Sequence, residues 1–128
     1  MRFGVLAIAA LAWATPLPAQ HADSLPAGVT PAMIGEGQKV YAGPGLCSAC
    51  HGPQAKGING LGPNLTDAEW LHSSGTYDAL VAQVTAGVPA TKSRSGVAMP
   101  PKGGAALTDA QIRAVAAYIW SLGLRATK

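Results

Sequence analysis

The chain has 128 residues, a formal charge of +3 and 48% hydrophobic residues. That length suits one domain, and nine Lys and Arg with no basic run and no aromatic platform between them exclude a nucleic-acid footprint. Much of the apolar content lies at the N-terminus. The remainder is rich in Ala, Gly and Pro, so a chain this small struggles to bury enough apolar surface alone.

Met1-Arg2-Phe3 precedes an apolar run from Gly4 to Ala14, which Thr15-Pro16-Leu17-Pro18-Ala19 closes. One positive charge, a short apolar core and a small-residue end predict a secretory signal peptide over residues 1–19. The run is too short to span a membrane, which needs about 20 apolar residues. Cleavage is expected after Ala19, with Ala14 and Ala22 as alternatives. Without Arg2, eight Lys and Arg face six Asp and Glu, a formal +2. Residues 20–29 are polar and aperiodic and read as a flexible leader to a domain over residues 30–128.

Thr30-Pro31 predicts a helix start, because Thr caps well and Pro is tolerated at the first helical position. The helix is expected to run to about Ala42 and to end at Gly43-Pro44-Gly45. Its apolar positions include Met33, Ile34, Val40 and Tyr41, with Met33 a core filler. Gly37 and Tyr41 are four apart and share a face, so a partner helix can approach closely at Gly37.

Cys47-Ser48-Ala49-Cys50-His51 follows, a C-x-x-C-H run holding the only two cysteines of the chain. That spacing sets two thiols to add to the two vinyl groups of one haem, with an imidazole on the same turn beneath the iron. A redox dithiol needs a βαβ pattern, and no β-branched strand run lies nearby. Tetrahedral zinc needs four ligands, and no second Cys/His pair with ligand spacing exists. A lone disulfide stays open but gives no reason for the histidine.

Residues 52–65, with Gly52-Pro53, Gly57, Gly60 and Gly62-Pro63, form a loop. Thr66-Asp67-Ala68-Glu69 is a capping-box pattern that predicts a short helix over Asp67–His72. Thr76 starts another helix, with Tyr77, Leu80, Val81 and Val84 at helical spacing and Gly87 as its end. Residues 88–107 form a second loop containing Met99-Pro100-Pro101. A further capping box, Thr108-Asp109-Ala110-Gln111, opens the longest helix, expected to reach Leu122 and stop at Gly123. Ile112, Val115, Ala116, Ile119 and Trp120 give it one apolar stripe. No strand signal is convincing, so the fold class is all-α.

An export signal, a helix, C-x-x-C-H, a Gly/Pro loop, a distal Met and a final amphipathic helix occur in that order. The chain resembles a class I cytochrome c over essentially its whole expected mature length. Cys47, Cys50 and His51 match the attachment motif, and Gly62-Pro63-Asn64-Leu65 matches the loop that follows it. Met99-Pro100 matches the distal-ligand segment. Gly37 and Tyr41, with Tyr118, match the contact between terminal helices. The stretch from Pro63 to Leu71 is similar to cytochrome domains of cbb-type oxidase subunits. The run Met99-Pro100-Pro101-Lys102-Gly103-Gly104 resembles short soluble bacterial cytochromes. Gly43-Pro44-Gly45 departs from the pattern as an insertion.

The resemblance implies a small cytochrome c fold of three to five helices and Gly/Pro-rich loops wrapped around one covalent haem c. His51 and Met99 are the implied axial ligands, with the Pro63 carbonyl accepting from the ligating imidazole and fixing its tautomer. The alternatives are a turn proline at Pro63 and a loop methionine packed on the porphyrin edge at Met99. Trp70 is expected to pack on the haem, to donate its indole N–H to a propionate, or to pack in the core, and His72 to be exposed. Lys56, Lys92, Arg94 and Lys102 are placed in the loops around the haem edge, where they steer an acidic partner or form a solvated surface.

His/Met ligation raises the haem potential and closes the coordination sphere. The leading expectation is therefore an exported, periplasmic, monomeric electron carrier rather than an enzyme. Its redox partners would be a membrane oxidase, reductase or dehydrogenase, with no small-molecule substrate. The alternatives are a permanent haem subunit of a periplasmic dehydrogenase or oxidase complex, and a haem sensor.

Overall fold

The computed structural model describes residues 24–67 and 69–126. The expected signal peptide, residues 1–19, lies outside the described residues. Among the described residues four helices form: α1 over Pro31–Ala42, α2 over Cys47–His51, α3 over Tyr77–Ala86 and α4 over Asp109–Ala126, with a 3₁₀ segment at Pro101–Gly104. Among the described residues there is no strand, only isolated antiparallel bridges between Ile58 and Gly62 and between Val88 and Met99. No helix among them is long and apolar enough to cross a membrane.

Three threonines set the helix starts. Thr30 Oγ1 accepts the Met33 N–H at 3.2 Å ahead of Pro31, and Thr76 Oγ1 accepts the Ala79 N–H at 3.4 Å. At α4 the box is reciprocal: Gln111 N–H donates to Thr108 Oγ1 at 3.2 Å, and Thr108 N–H donates to Gln111 Oε1 at 3.0 Å. Each bond satisfies an amide that has no partner within its helix.

The core is the seam between α1 and α4, whose contact is the most extensive between any two elements. Val40, Tyr41, Ile112, Val115, Ala116, Ile119 and Leu122 are buried there, with Met33 packed against them. A Cβ on Gly37 would overlap the backbone carbonyl of Ala114, so only glycine lets the two helices close to this distance. The Tyr41 and Tyr118 rings meet edge-on, 5.5 Å apart at 62°, a favoured aromatic geometry. The packing begins just before α1. Val29, the last residue of the segment read as a flexible leader, is 6% exposed within the core, and its N–H donates to Pro26 O at 3.0 Å.

Two expected boundaries are corrected. The expected helix over Asp67–His72 is not found: none of the described residues in that range is helical. Asn64 Oδ1 takes both the Thr66 N–H at 2.8 Å and the Thr66 hydroxyl at 2.7 Å, and the Glu69 N–H turns to Asp67 Oδ1 at 3.2 Å. Asx turns of this kind compete directly with helix capping. At the other end, α4 does not stop at Gly123 but runs through it to Ala126. Gly123 is buried, and a Cβ there would sit 2.5 Å from Trp70 Cζ2. This glycine makes room for the indole instead of ending the helix.

Candidate haem site

α2 is one short turn and does not stand alone. It is entered through Leu46 in the left-handed region (φ 56°) and left through Gly52 (φ 80°), whose N–H donates to Ser48 O at 3.0 Å. The buried Tyr41 hydroxyl reaches from α1 to donate to Gly52 O at 2.7 Å, which ties the motif to the α1–α4 core. Burial, helped by the neighbouring Cys47, holds this phenol well above its ordinary pKa, so it stays protonated and donating. Tyr41→Phe leaves the Gly52 carbonyl without this donor. A loss of about 1–3 kcal/mol is expected, the range for an orphaned buried acceptor, and is read from the chemical-denaturation midpoint.

Cys47 and Cys50 are both free thiols, partly buried and three residues apart on one face of the turn. Burial raises the pKa of Cys47, and its Sγ lies 3.4 Å from Gly45 O. A Cβ on Gly45 would come within 2.7 Å of Val40 O and 3.2 Å of Cys47 Sγ. The Gly43-Pro44-Gly45 insertion is thus packed between α1 and the first thiol.

The following loop folds back on α2. Gly57 N–H donates to His51 O at 2.8 Å, Leu65 N–H donates to Ala55 O at 2.8 Å, and Ile58 and Gly62 form their bridge. Two glycines allow this. A Cβ on Gly57 (φ 82°) would lie 2.8 Å from Pro63 C, and one on Gly62 would lie 2.5 Å from Cys50 O. The fold-back brings Pro63 O to 2.9 Å from His51 Nδ1. A carbonyl only accepts, so Nδ1 carries the proton, and the neutral ring keeps its lone pair on Nε2. His51 is 8% exposed. Burial lowers its pKa and so favours the neutral form that a metal requires, while the Pro63 carbonyl pulls the pKa the other way.

Met99 comes from the loop after α3. Val88 N–H donates to Met99 O at 2.8 Å and Met99 N–H donates to Val88 O at 2.9 Å, so the methionine backbone is clamped beside the end of α3. Gly87 (φ 70°) makes the clamp possible, because a Cβ there would run into Met99 O. Beyond Met99, a Cβ on Gly103 (φ 68°) would lie 2.6 Å from Gly45 O, so the 3₁₀ segment rests against the insertion before α2.

Cys47, Cys50, His51, Pro63, Trp70 and Met99 all line one cavity of about 690 Å³, with Leu65, Leu80, Val84 and Ile119 among its apolar walls. That volume lies in the range of cofactor pockets. The donor set fits a covalent haem: two accessible thiols on one turn, a neutral imidazole and a soft thioether. Among the described residues no cluster of three or more His, Cys, Asp or Glu side chains offers another metal site.

Trp70 is held edgewise between Gly75 and Gly123. A Cβ on Gly75 would strike its Nε1–Cδ1 edge. The indole nitrogen therefore faces the Gly75 backbone, which supports the packing role. His72 is exposed, as expected. The four basic residues do not form one group. Lys56 and Arg94 line the cavity, but Lys92 and Lys102 do not. Arg94 pairs with Glu69 at 3.2 Å, and Lys102 Nζ lies 3.4 Å from Leu107 O. Sequence reading overlooked Ser95, whose hydroxyl donates to Leu61 O at 3.0 Å across the cavity mouth; a serine in a polar loop carries no signal of such a bond.

A thiol pair and a carbonyl-held histidine sharing an apolar cavity with a methionine, in a small helical fold, describe a class I c-type cytochrome. Residues 32–119 match the family model for cytochrome c oxidase, cbb3-type, subunit III. The chain belongs to this family. It is 38% identical over 92 residues to the Cbb3-type cytochrome c oxidase subunit CcoP of Rubrivivax gelatinosus, covering 72% of this chain and 27% of the relative. It is 43% identical over 93 residues to CcoP of Cereibacter sphaeroides, covering 72% and 28%. With the Cbb3-type subunit FixP of Sinorhizobium medicae the identity is 34% over 97 residues, covering 73% and 29%. The chain thus spans a little over a quarter of the length of these relatives. No solved structure matches it.

Proposed function

We propose that this chain binds one haem c through Cys47 and Cys50 and passes single electrons to or within a membrane oxidase, as a haem-bearing partner or subunit of that complex. The observation that carries the reading is the His51–Pro63 hydrogen bond at 2.9 Å beside two free thiols, in a cavity that Met99 also lines. Such a haem supplies one-electron exchange between ferric and ferrous iron. His51 would offer Nε2 to the iron while Pro63 holds its ring. Met99 would offer its thioether as a second ligand, from a loop clamped by Val88. The apolar walls would limit water at the cofactor, and two protein ligands would leave no position for a substrate, which favours a carrier over an enzyme. Residues 1–19 serve as an export signal, and the working compartment is the periplasm.

The relatives are named as oxidase subunits, which favours the complex-bound reading over a free carrier. Protein purified from a host with the haem-attachment machinery should carry one covalent haem by mass. Its reduced-minus-oxidised spectrum should be that of a low-spin c-type cytochrome, unmoved by carbon monoxide on the mixing time scale. Rapid carbon monoxide binding at neutral pH would overturn the closed-site reading in favour of a sensor. Failure to co-purify with an oxidase after mild solubilisation would return the free carrier to the lead.

A further inference from the structure

We propose that Ser95 is a positioning residue for Met99, a latch across the cavity mouth that keeps the thioether on the iron. The assignment rests on Met99 being an axial ligand. Ser95 has one hydroxyl proton and two lone pairs. The proton goes to Leu61 O at 3.0 Å, since a carbonyl only accepts. The oxygen then accepts the Val97 N–H at 3.3 Å and the Ser93 hydroxyl at 3.1 Å. All of its hydrogen-bonding capacity is used, so although the serine is exposed its hydroxyl is held by three partners at once.

The partners lie at matching places. Val97 is two residues before Met99, and Leu61 is two residues before Pro63. Through one side chain, the loop that carries the methionine is joined to the loop whose carbonyl holds His51. Leu61 itself sits inside the Ile58–Gly62 bridge, with its N–H donating to Ile58 O at 3.0 Å, so the latch fastens to a backbone that is already fixed.

The remaining supports act elsewhere. The Val88–Met99 bridge fixes the base of the loop to the end of α3, and the Gly103–Gly45 contact lies beyond the methionine. The neighbouring Arg94–Glu69 ion pair joins the methionine loop to residue 69 and not to the loop that holds His51, and exposed ion pairs contribute little. Among the described residues, Ser95 is therefore the side chain that ties the methionine loop to the histidine side by a hydrogen bond.

The test uses the haem-loaded protein and the Ser95→Ala and Ser95→Thr variants. Carbon monoxide must wait for the methionine to leave ferrous iron, so its association rate reports the open fraction. Ser95→Ala should raise that rate about three- to tenfold, the factor for one ordinary hydrogen bond. It should also lower the temperature at which the ferric near-red sulfur-to-iron band disappears, while far-UV helix melting stays put. Ser95→Thr, which keeps the hydroxyl, should restore both readouts. A wild-type protein lacking the near-red band overturns Met99 ligation, and the latch with it. A wild-type protein with the band, whose Ser95→Ala variant keeps the wild-type rate and band-loss temperature, overturns the latch alone. A helix melt that falls in step with the band also overturns it.

Discussion

Met99→Ala is expected to abolish the near-red sulfur-to-iron band of the ferric protein and to lower its reduction potential. The fall should be a sizeable part of the about 0.8 V over which axial ligands set haem potentials. A thioether is soft and favours ferrous iron, so its loss leaves the ferric state better stabilised. Alanine also vacates space in a cavity of about 690 Å³, so water or carbon monoxide would gain access to a bound iron there. The backbone bonds between Val88 and residue 99 do not involve the side chain, so the loop should hold and far-UV circular dichroism should stay close to wild type. Potentiometry and carbon monoxide mixing on the same sample check both parts. An unchanged near-red band would show that another residue supplies the sixth ligand.

Gly37→Ala should destabilise the fold more than a one-carbon change ordinarily does. Helix propensity alone predicts a gain of about 1 kcal/mol from replacing an interior glycine. Against it stands the overlap of the new methyl with the Ala114 carbonyl and Tyr118 Cβ. Neither can swing aside, because one is backbone and the other is the root of its side chain. The helices must separate, loosening the buried Tyr41 and Val40 contacts. Overpacking of this kind costs about 1–3 kcal/mol and occasionally more, so the clash wins. With immovable neighbours the clash costs roughly 3 kcal/mol against the gain of about 1, and a net loss of about 2 kcal/mol corresponds to a fall in Tm of about 8–16 °C for a domain of this size. Thermal denaturation followed at the helix signal measures it, and an unchanged Tm would mean that the α1–α4 seam is softer than its packing indicates.

What was readable from sequence follows from how local each feature is. Thr30, Thr76 and Thr108 announce helix starts because a cap is a bond between near neighbours. Gly37 and Tyr41 foretell the α1–α4 contact because helical spacing alone puts them on one face. The same local logic fails at Thr66. Its pattern fits a capping box as well as that of Thr108 does, yet Asn64 stands two residues upstream and captures its hydroxyl. Gly123 misleads for the opposite reason. A glycine late in a helix reads as a stop, but this one faces Trp70 from 53 residues away in the chain, and nothing local records that. The glycines of residues 52–65 read only as loop formers, although Gly57 and Gly62 are needed because two backbones pass there. The separation of Lys56 and Arg94 from Lys92 and Lys102 depends on how the loops fold, and composition does not encode it.

The contact between Gly45 and Gly103 bears on how this domain tolerates transplantation. Neither residue has a side chain, and the carbonyl of one lies where the Cβ of the other would be. The short insertion ahead of the cysteines and the turn after the methionine are therefore one matched pair, although 58 residues separate them. A methionine segment grafted here from a homologue with a bulkier residue at position 103 would be pushed off its seat. The first strain would fall on the link that sets the angle of the thiol-bearing turn. Any chimaera built on this scaffold should exchange residues 43–45 and 99–104 together.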